Sequence, residues 1–599
     1  MKISLLPEPQ HLTLTEGAFI LPEQIRIFLS SADRPAFEAA KMLANLIRTR
    51  TGKQAMLDRR GLAPTAVAKS IELECETSSS EEAYRLTIST NGIRIVGRGK
   101  PGLFYGLQTL MQLIEDKGGR LPCLTIEDAP AFRARGYYLD VSRGKAPRLE
   151  TLYRLIDLLA ALKINQFQLY VEHVFDFKFD PSIGEGCCPL TSEDILALDR
   201  YCRDRYIELV PSMTCFGHMG RVLSLPQYRH LAEIEWPAKD WNSSEWIQRL
   251  RGATINPLHP ESKQLLARML DDFLPLFSSG RFNLCGDETY DLGRGVNAAR
   301  AARTGLGKLY LEHIRFVRKT AAKYGKKVMF WGDVIQHNPD AAPDIPKDCI
   351  VLDWGYEPET RFEKIQLFLD EGLETYVCPS VRGYKVVFND VERARANIAG
   401  YALAGQRLGA AGLLNTDWGD MGHFNMAGCS LHGLALGAAM AWNPVLDEHK
   451  AFDQAFSRQL FGDANDRAAR LFSLAGSTGF SKWPFLAVSQ EPPAEASGLR
   501  EKARRLQTDL MSWAEEFRSR KPTRLVSSLE LEQLALGCEA VRLNVDWFLL
   551  SLSKQPSKDQ TALNTRMKAF DAAFSNLWNQ LNRPCGLNEL RERVFAKFI

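Results

Sequence analysis

The sequence predicts an α/β protein built around a (β/α)8 TIM barrel, with an N-terminal α+β domain before it and a C-terminal all-helical domain after it. Three observations predict this. From Arg133 to about Asn443, short apolar runs alternate with amphipathic helical stretches, the rhythm of βα units that feed a parallel sheet. Before that stretch, period-two alternation is mixed with two helical periods. After it, the pattern is helical throughout. The expected boundaries are 1–128, 129–444 and 445–599, and a chain of 599 residues at roughly 150 per domain has room for them.

In order along the chain, apolar alternation predicts strands in His11–Leu21 and Ile25–Leu29. Ala36–Arg48 follows with a helical period that stops at Gly52. Strand-like runs at Ser70–Cys75 and Ala83–Val96 precede a second helix at Gly102–Ile114. Eight barrel strands are expected at Arg135–Arg143, Ile164–Glu172, Ile207–Thr214, Phe282–Glu288, Lys327–Asp333, Ile350–Tyr356, Glu374–Pro379 and Gly412–Asp420. The helices between them fall at Leu149–Lys163, Ser192–Arg205, Pro260–Phe277, Lys308–Tyr324, Glu359–Glu371, Val391–Leu408 and Gly428–Trp442, with one more in the long loop after Thr214. The tail has long helical periods at Leu499–Arg518, Ser527–Ser553 and Leu563–Leu581. It reads as a packing or oligomerisation unit, with a homodimer through it as the candidate assembly.

Composition narrows the function classes. With 75 Lys+Arg against 72 Asp+Glu the net charge is +3, and no long basic run occurs, which argues against nucleic acid or an anionic membrane as partner. No stretch approaches the ~20 apolar residues of a membrane span, and Pro and Glu interrupt the start before a signal-peptide core can form. Twelve cysteines without a CxxC pair read as reduced thiols in a cytoplasm.

Active sites of such barrels assemble at the carboxyl ends of the strands. Here those ends read LDVSR (Asp140, Arg143), YVEH (Glu172, His173), TCFGHMGR (His218, Arg221) and CGDETY (Asp287, Glu288, Tyr290) for the first four strands. The other four read FWGD (Trp331, Asp333), LDWGY (Asp353, Trp354, Tyr356), VCPSVRGY (Ser380, Arg382, Tyr384) and NTDWGDMGH (Asp417, Trp418, Asp420, His423). Adjacent acids on a regular strand point to opposite faces, so Asp287 and Glu288 can share one site only where the pleat is ending. Trp331, Trp354 and Trp418 at three strand ends predict an aromatic-walled pocket, where ring faces hold the apolar face of a pyranose and carboxylates and Arg hold its hydroxyls. His173, His218 and His423 carry no HxxxH or HExxH spacing, so no metal and no cofactor is expected. Cys215, Cys285 and Cys378 read as small buried packing residues.

At these residues the chain resembles glycoside hydrolase family 20, the exo-acting β-N-acetylhexosaminidases, over nearly its full length. CGDET resembles the family's Gly-Asp-Glu signature, which implies Glu288 as general acid/base and Asp287 as the residue that orients the substrate's acetamido group. LDVSR implies Arg143 as a hydroxyl ligand, and SMTCFGHMG implies His218 as partner to the acid. The last WGD implies Trp418 as pocket wall and Asp420 as hydroxyl ligand. For the tyrosine that binds the acetamido carbonyl, Tyr384 is the first choice and Tyr356 the second. The chain departs from the family pattern in Asn283, Leu284 and Cys285 before Gly286, and in YVEH on strand two.

The resemblance implies retaining, substrate-assisted hydrolysis of an amino-sugar glycoside or glycan, an exception to the two-carboxylate scheme. The acetamido oxygen attacks the anomeric carbon while Glu288 protonates the leaving oxygen. Glu288 is therefore expected to be protonated near neutral pH, raised by burial and by Asp287 and opposed by a charged His218. The alternative is a catalytically silent barrel that binds amino sugars. Gluco or galacto preference, and the role of the Gly217–Pro257 segment with Trp236, Trp241 and Trp246, stay open.

Overall fold

A computed structural model describes the chain except residues 1–2, 31–33, 60–68, 77, 236–252, 359, 421, 445–448, 482–495, 553–555 and 595–599. Trp236, Trp241 and Trp246 therefore lie outside the described residues.

Seven strands form the N-terminal sheet: β1 (His11–Ile20), β2 (Gln24–Leu29), β3 (Gln54–Arg59), β4 (Ile71–Cys75), β5 (Tyr84–Ser89), β6 (Gly92–Gly97) and β7 (Arg120–Asp128). Their spatial order is β1-β7-β5-β6-β4-β2-β3. Helices Arg34–Thr51 and Lys100–Lys117 pack on this sheet and on each other. Two strands escape the sequence pattern. β3 is an edge strand with no buried residue, and β7 carries Pro122, a residue that normally argues against a strand. The single run expected at Ala83–Val96 is two antiparallel strands, β5 and β6, joined through Thr90 and Asn91.

Eight parallel strands close the barrel: β8 (Ala134–Asp140), β9 (Gln166–Val171), β10 (Glu208–Met213), β11 (Arg281–Asn283), β12 (Lys327–Trp331), β13 (Ile350–Trp354), β14 (Glu374–Cys378) and β15 (Gly412–Asp417), with β15 paired to β8. Each overlaps an expected run, although β11 ends at Asn283, well short of the expected Glu288. Val391–Leu408 is the helix expected there. The stretch expected as helix from Glu359 to Glu371 is reduced to a 3-10 turn at Phe362–Ile365 and one helical turn at Gln366–Leu369. The loop after β10 carries a short helix at Gly220–Ser224.

The amino ends of the barrel strands rest on the N-terminal sheet through paired charges. Arg135, fully buried, donates from Nη1 and Nη2 to the two oxygens of Glu82 at 2.7 and 2.9 Å and lies over the Trp442 ring. Lys163 donates to Asp128 at 3.0 Å, and the same carboxylate accepts from Tyr84 and from the Trp442 indole. At the other end of the chain, helices Ala496–Ser519, Ser528–Ser551 and Pro556–Leu581 pack in sequence. The middle one meets the barrel where Gln533 accepts from the Gly428 N–H at 2.8 Å.

Candidate active site

The decisive local event is the early end of β11. The strand stops at Asn283, and Cys285, Gly286 and Glu288 then take φ values of 64°, 81° and 48°, in the left-handed region that costs a non-glycine residue energy. This breaks the pleat and lets neighbouring acids face one site. The Asn283 side chain accepts from the Cys285 N–H, and the Cys285 carbonyl accepts from the Trp331 N–H. His218 reaches the acids because Gly217 has no side chain: a Cβ there would sit 2.3 Å from the Asp287 carbonyl oxygen. His218 Nε2 lies 3.3 Å from Asp287 Oδ2 and 3.4 Å from Glu288 Oε2. The second oxygen of Asp287, Oδ1, is buried and has no hydrogen-bond partner among the described residues.

The electrostatics correct one expectation. Burial raises the Glu288 carboxyl, but the hydrogen bond and charge of His218 outweigh it, with Tyr290 and Arg143 adding to them, and the net shift is downward. Burial lowers His218, yet Asp287 and Glu288 together hold it well above its ordinary value. Both shifts favour the charged forms, a Glu288 carboxylate and a His218 imidazolium.

A residue that the sequence reading left outside the site completes this corner. Asp333, at the end of β12, accepts from the Glu288 N–H at 3.1 Å through Oδ2 and from the Trp354 indole at 3.3 Å through Oδ1. Burial, then Asp287, pushes its carboxyl up to about 7. The repeated Trp-Gly-Asp at the ends of strands five and eight was the available signal.

Arg143 anchors a second group of acids. It pairs with Asp140 at 3.2 Å and Glu172 at 3.1 Å and lies over the rings of Tyr170 and Trp418, at 4.8 and 5.6 Å. Glu172, raised by burial and lowered less by Arg143, also accepts from Tyr170 at 2.9 Å. Asp420 is pushed up to about 6, first by burial and against the pull of Arg143. His423 is a support: its N–H donates to the Arg143 carbonyl and its Nδ1 lies 2.9 Å from the Asp140 carbonyl oxygen.

The three tryptophans do come together, in graded exposure. Trp331 is 1% exposed, 6.0 Å from Trp418 and 5.4 Å from Tyr138, so it forms the floor. Trp418 is 6% exposed and donates from its indole to the Tyr356 hydroxyl at 2.6 Å. Trp354 lies half-buried beside Tyr356, with ring centres 5.0 Å apart, and Tyr384 is 6.3 Å beyond. The Tyr356 hydroxyl is thus engaged by Trp418 and Thr416, whereas the Tyr384 hydroxyl has no hydrogen bond among the described residues. Cys215, Cys285 and Cys378 are buried, as packing residues would be.

Residues 2–129 match the profile of glycosyl hydrolase family 20, domain 2, and residues 132–402 match that of the family's catalytic domain. The chain belongs to glycoside hydrolase family 20. Among curated relatives, a β-hexosaminidase of Porphyromonas gingivalis is 25% identical over 366 residues, 56% of this chain and 46% of that protein. One of Vibrio furnissii is 25% identical over 391 residues, 59% of this chain and 60% of that protein. The chain spans about half the length of these relatives. Among solved structures, the chitobiase of Flavobacterium johnsoniae shares the fold at a TM-score of 0.64 and 19% identity, covering 96% of this chain and 98% of that one.

Proposed function

We propose that this family 20 protein is an exo-acting, retaining β-N-acetylhexosaminidase that removes a terminal β-linked N-acetylglucosamine or N-acetylgalactosamine by substrate-assisted catalysis. The observation that carries this reading is Asp287 Oδ1, which has no hydrogen-bond partner among the described residues and is buried beside the Glu288–His218 pair. A buried acceptor with nothing to accept is costly, and a substrate acetamido N–H removes that cost.

In this reading Asp287 takes the acetamido N–H and turns the amide oxygen toward the anomeric carbon. Tyr384, whose hydroxyl is unengaged, donates to that oxygen. Arg143 and Asp420 hold the ring hydroxyls, and Trp331, Trp354 and Trp418 contact the ring. Glu288 protonates the leaving oxygen and then takes a proton from the water that opens the oxazolinium. Because Glu288 is held low by His218 in the free protein, its proton depends on substrate entry. A neutral sugar displaces water, deepens the burial that raises Glu288, and draws Asp287 away from His218 toward the amide. His218 is then a positioning and proton-balancing residue.

We also propose a division at 1–128, 129–444 and 445–599, a homodimer through the C-terminal helices, and a cytoplasmic site of action. No helix among the described residues is long and apolar enough to cross a membrane.

The test is hydrolysis of paired aryl β-N-acetylglucosaminide and β-N-acetylgalactosaminide, with the first product's anomeric configuration followed by NMR. Release of the β-anomer supports retention. Binding of N-acetylglucosamine without hydrolysis across the panel overturns the enzyme reading in favour of an amino-sugar-binding barrel.

A further inference from the structure

Eight of the twelve cysteines are buried, and Cys75, Cys187, Cys188 and Cys585 are the four that reach solvent. Three of those four meet at one place, although Cys585 belongs to the C-terminal segment and the other two to the loop after β9. The Cys585 thiol donates to the Cys187 carbonyl at 2.8 Å, at the peptide bond that leads into Cys188, and Cys188 adds to the upward push of burial on it. Cys188 itself sits at φ 47°, in the left-handed region.

The surroundings give this contact a mechanical meaning. Arg583 donates from Nη1 to the Pro189 carbonyl at 2.7 Å and pairs through Nη2 with Asp194, so the C-terminal segment is already clipped to the β9 loop. The same segment holds the loop after β8, which carries Arg143. The Arg583 N–H donates to the Ala146 carbonyl at 2.8 Å, and Asn582 forms an antiparallel bridge with Pro147. Gly586 lies so close to Gly144 that a Cβ on it would stand 1.8 Å from the Gly144 carbonyl oxygen. Residues 582–586 therefore brace two loops that deliver side chains to the site, and every bond in that brace is non-covalent.

We infer that Cys188 and Cys585 form an oxidisable pair, a modification site that closes to a disulfide and staples the C-terminal segment to the β9 loop. The co-reactant is a low-molecular-weight disulfide. The Cys188 thiolate attacks one sulfur of that disulfide, giving a mixed disulfide and expelling the first thiolate. Cys585 then loses its proton to water, and its sulfur attacks the Cys188 sulfur, forming the internal bond and expelling the second thiolate. Two protein thiols are oxidised by two electrons and one small disulfide is reduced to two thiols. Burial pushes the Cys585 thiol up, away from the thiolate form, so the first attack falls to Cys188 and Cys585 is the resolving sulfur.

The experiment treats the full-length protein with glutathione disulfide and maps peptides without reduction. The expected result is the loss of two titratable thiols and a peptide joining Cys188 to Cys585. Dithiothreitol reverses both, Cys187→Ser keeps them, and Cys188→Ser and Cys585→Ser abolish the cross-link. A staple closing so long a loop raises Tm by roughly 2–5 °C in the oxidised wild type and not in either serine variant. A cross-link that persists in Cys188→Ser, glutathione adducts without an internal bond, or unchanged thiol titration would each overturn the assignment.

Discussion

One strand of the barrel and the loop that follows it present two buried arginines that differ only in what surrounds them. Arg135, at the amino end of β8, has a bidentate Glu82, a tyrosine hydroxyl and a backbone carbonyl, and its charge is fully answered. Arg143, just past the carboxyl end, shares its corner with Asp140, Glu172 and Asp420, two of them raised by burial, while Asp287 Oδ1 has no hydrogen-bond partner among the described residues. The amino end carries isolated left-handed residues, Lys163 at φ 62° and Tyr206 at φ 55°, but among the described residues no close group like Cys285, Gly286 and Glu288. The lesson is that burial of charge alone does not mark a site. A structural cluster closes its own hydrogen bonds, whereas a reactive one leaves capacity for a ligand.

The strongest way to break this comparison is at the reactive end. Glu288→Gln should lower kcat on an aryl amino-sugar glycoside by about 10³–10⁴-fold with little change in Tm, as expected for removal of a general acid; residual turnover within tenfold of wild type would remove Glu288 from that role. At the structural end, Arg135→Met strands Glu82 and should cost about 3–5 kcal/mol of stability in chemical denaturation. Its KM should stay at the wild-type value.

Smaller changes sharpen the contrast. Arg143→Lys keeps the charge but loses the fork, and a fall of about 10–100-fold in kcat/KM is expected, the value of one or two charge-assisted hydrogen bonds. Asp333→Asn can serve only one of its two N–H donors, so kcat should fall about tenfold through a misplaced Glu288, with the pH–rate profile shifted. An unshifted profile would reduce Asp333 to a packing role.

The smallest effect is on stability against pH. Asp333 titrates at about 7 and Asp420 at about 6 when folded, and both lie near 4 in the unfolded chain. The native state thus holds protons that the unfolded state has released, and stability falls as pH rises from about 4 to about 7. His218, raised when folded, adds to the fall above its unfolded value near 6.5. Tm measured between pH 5 and 8 should decline, less steeply in Asp333→Asn.

Much of this architecture was legible because barrel strands buried on both faces read as short, mostly apolar runs between amphipathic helices. β3 and β7 were not: an edge strand needs few apolar residues, and Pro122 hides a strand whose other donors are paired. The Glu359–Glu371 stretch has the composition of a helix, but the structure folds it only into short turns between Phe362 and Leu369. Within the site, strand-end acids and tryptophans could be collected from the sequence, since parallel strands deliver their carboxyl ends to one face.

What the sequence determined by itself was therefore the barrel, the list of chemistry-bearing strand ends and the pairing of Asp287 with Glu288 in one motif. Only the tertiary structure decided how these groups are charged and joined. Protonation depends on partners that are distant in the chain: His218 reverses the shift that burial alone gives Glu288, and Asp333 binds the backbone of one strand end and the indole of another. Likewise, no local pattern shows that a C-terminal turn at Asn582–Gly586 rests on the loop that carries Arg143, because that contact exists only once the chain has closed on itself.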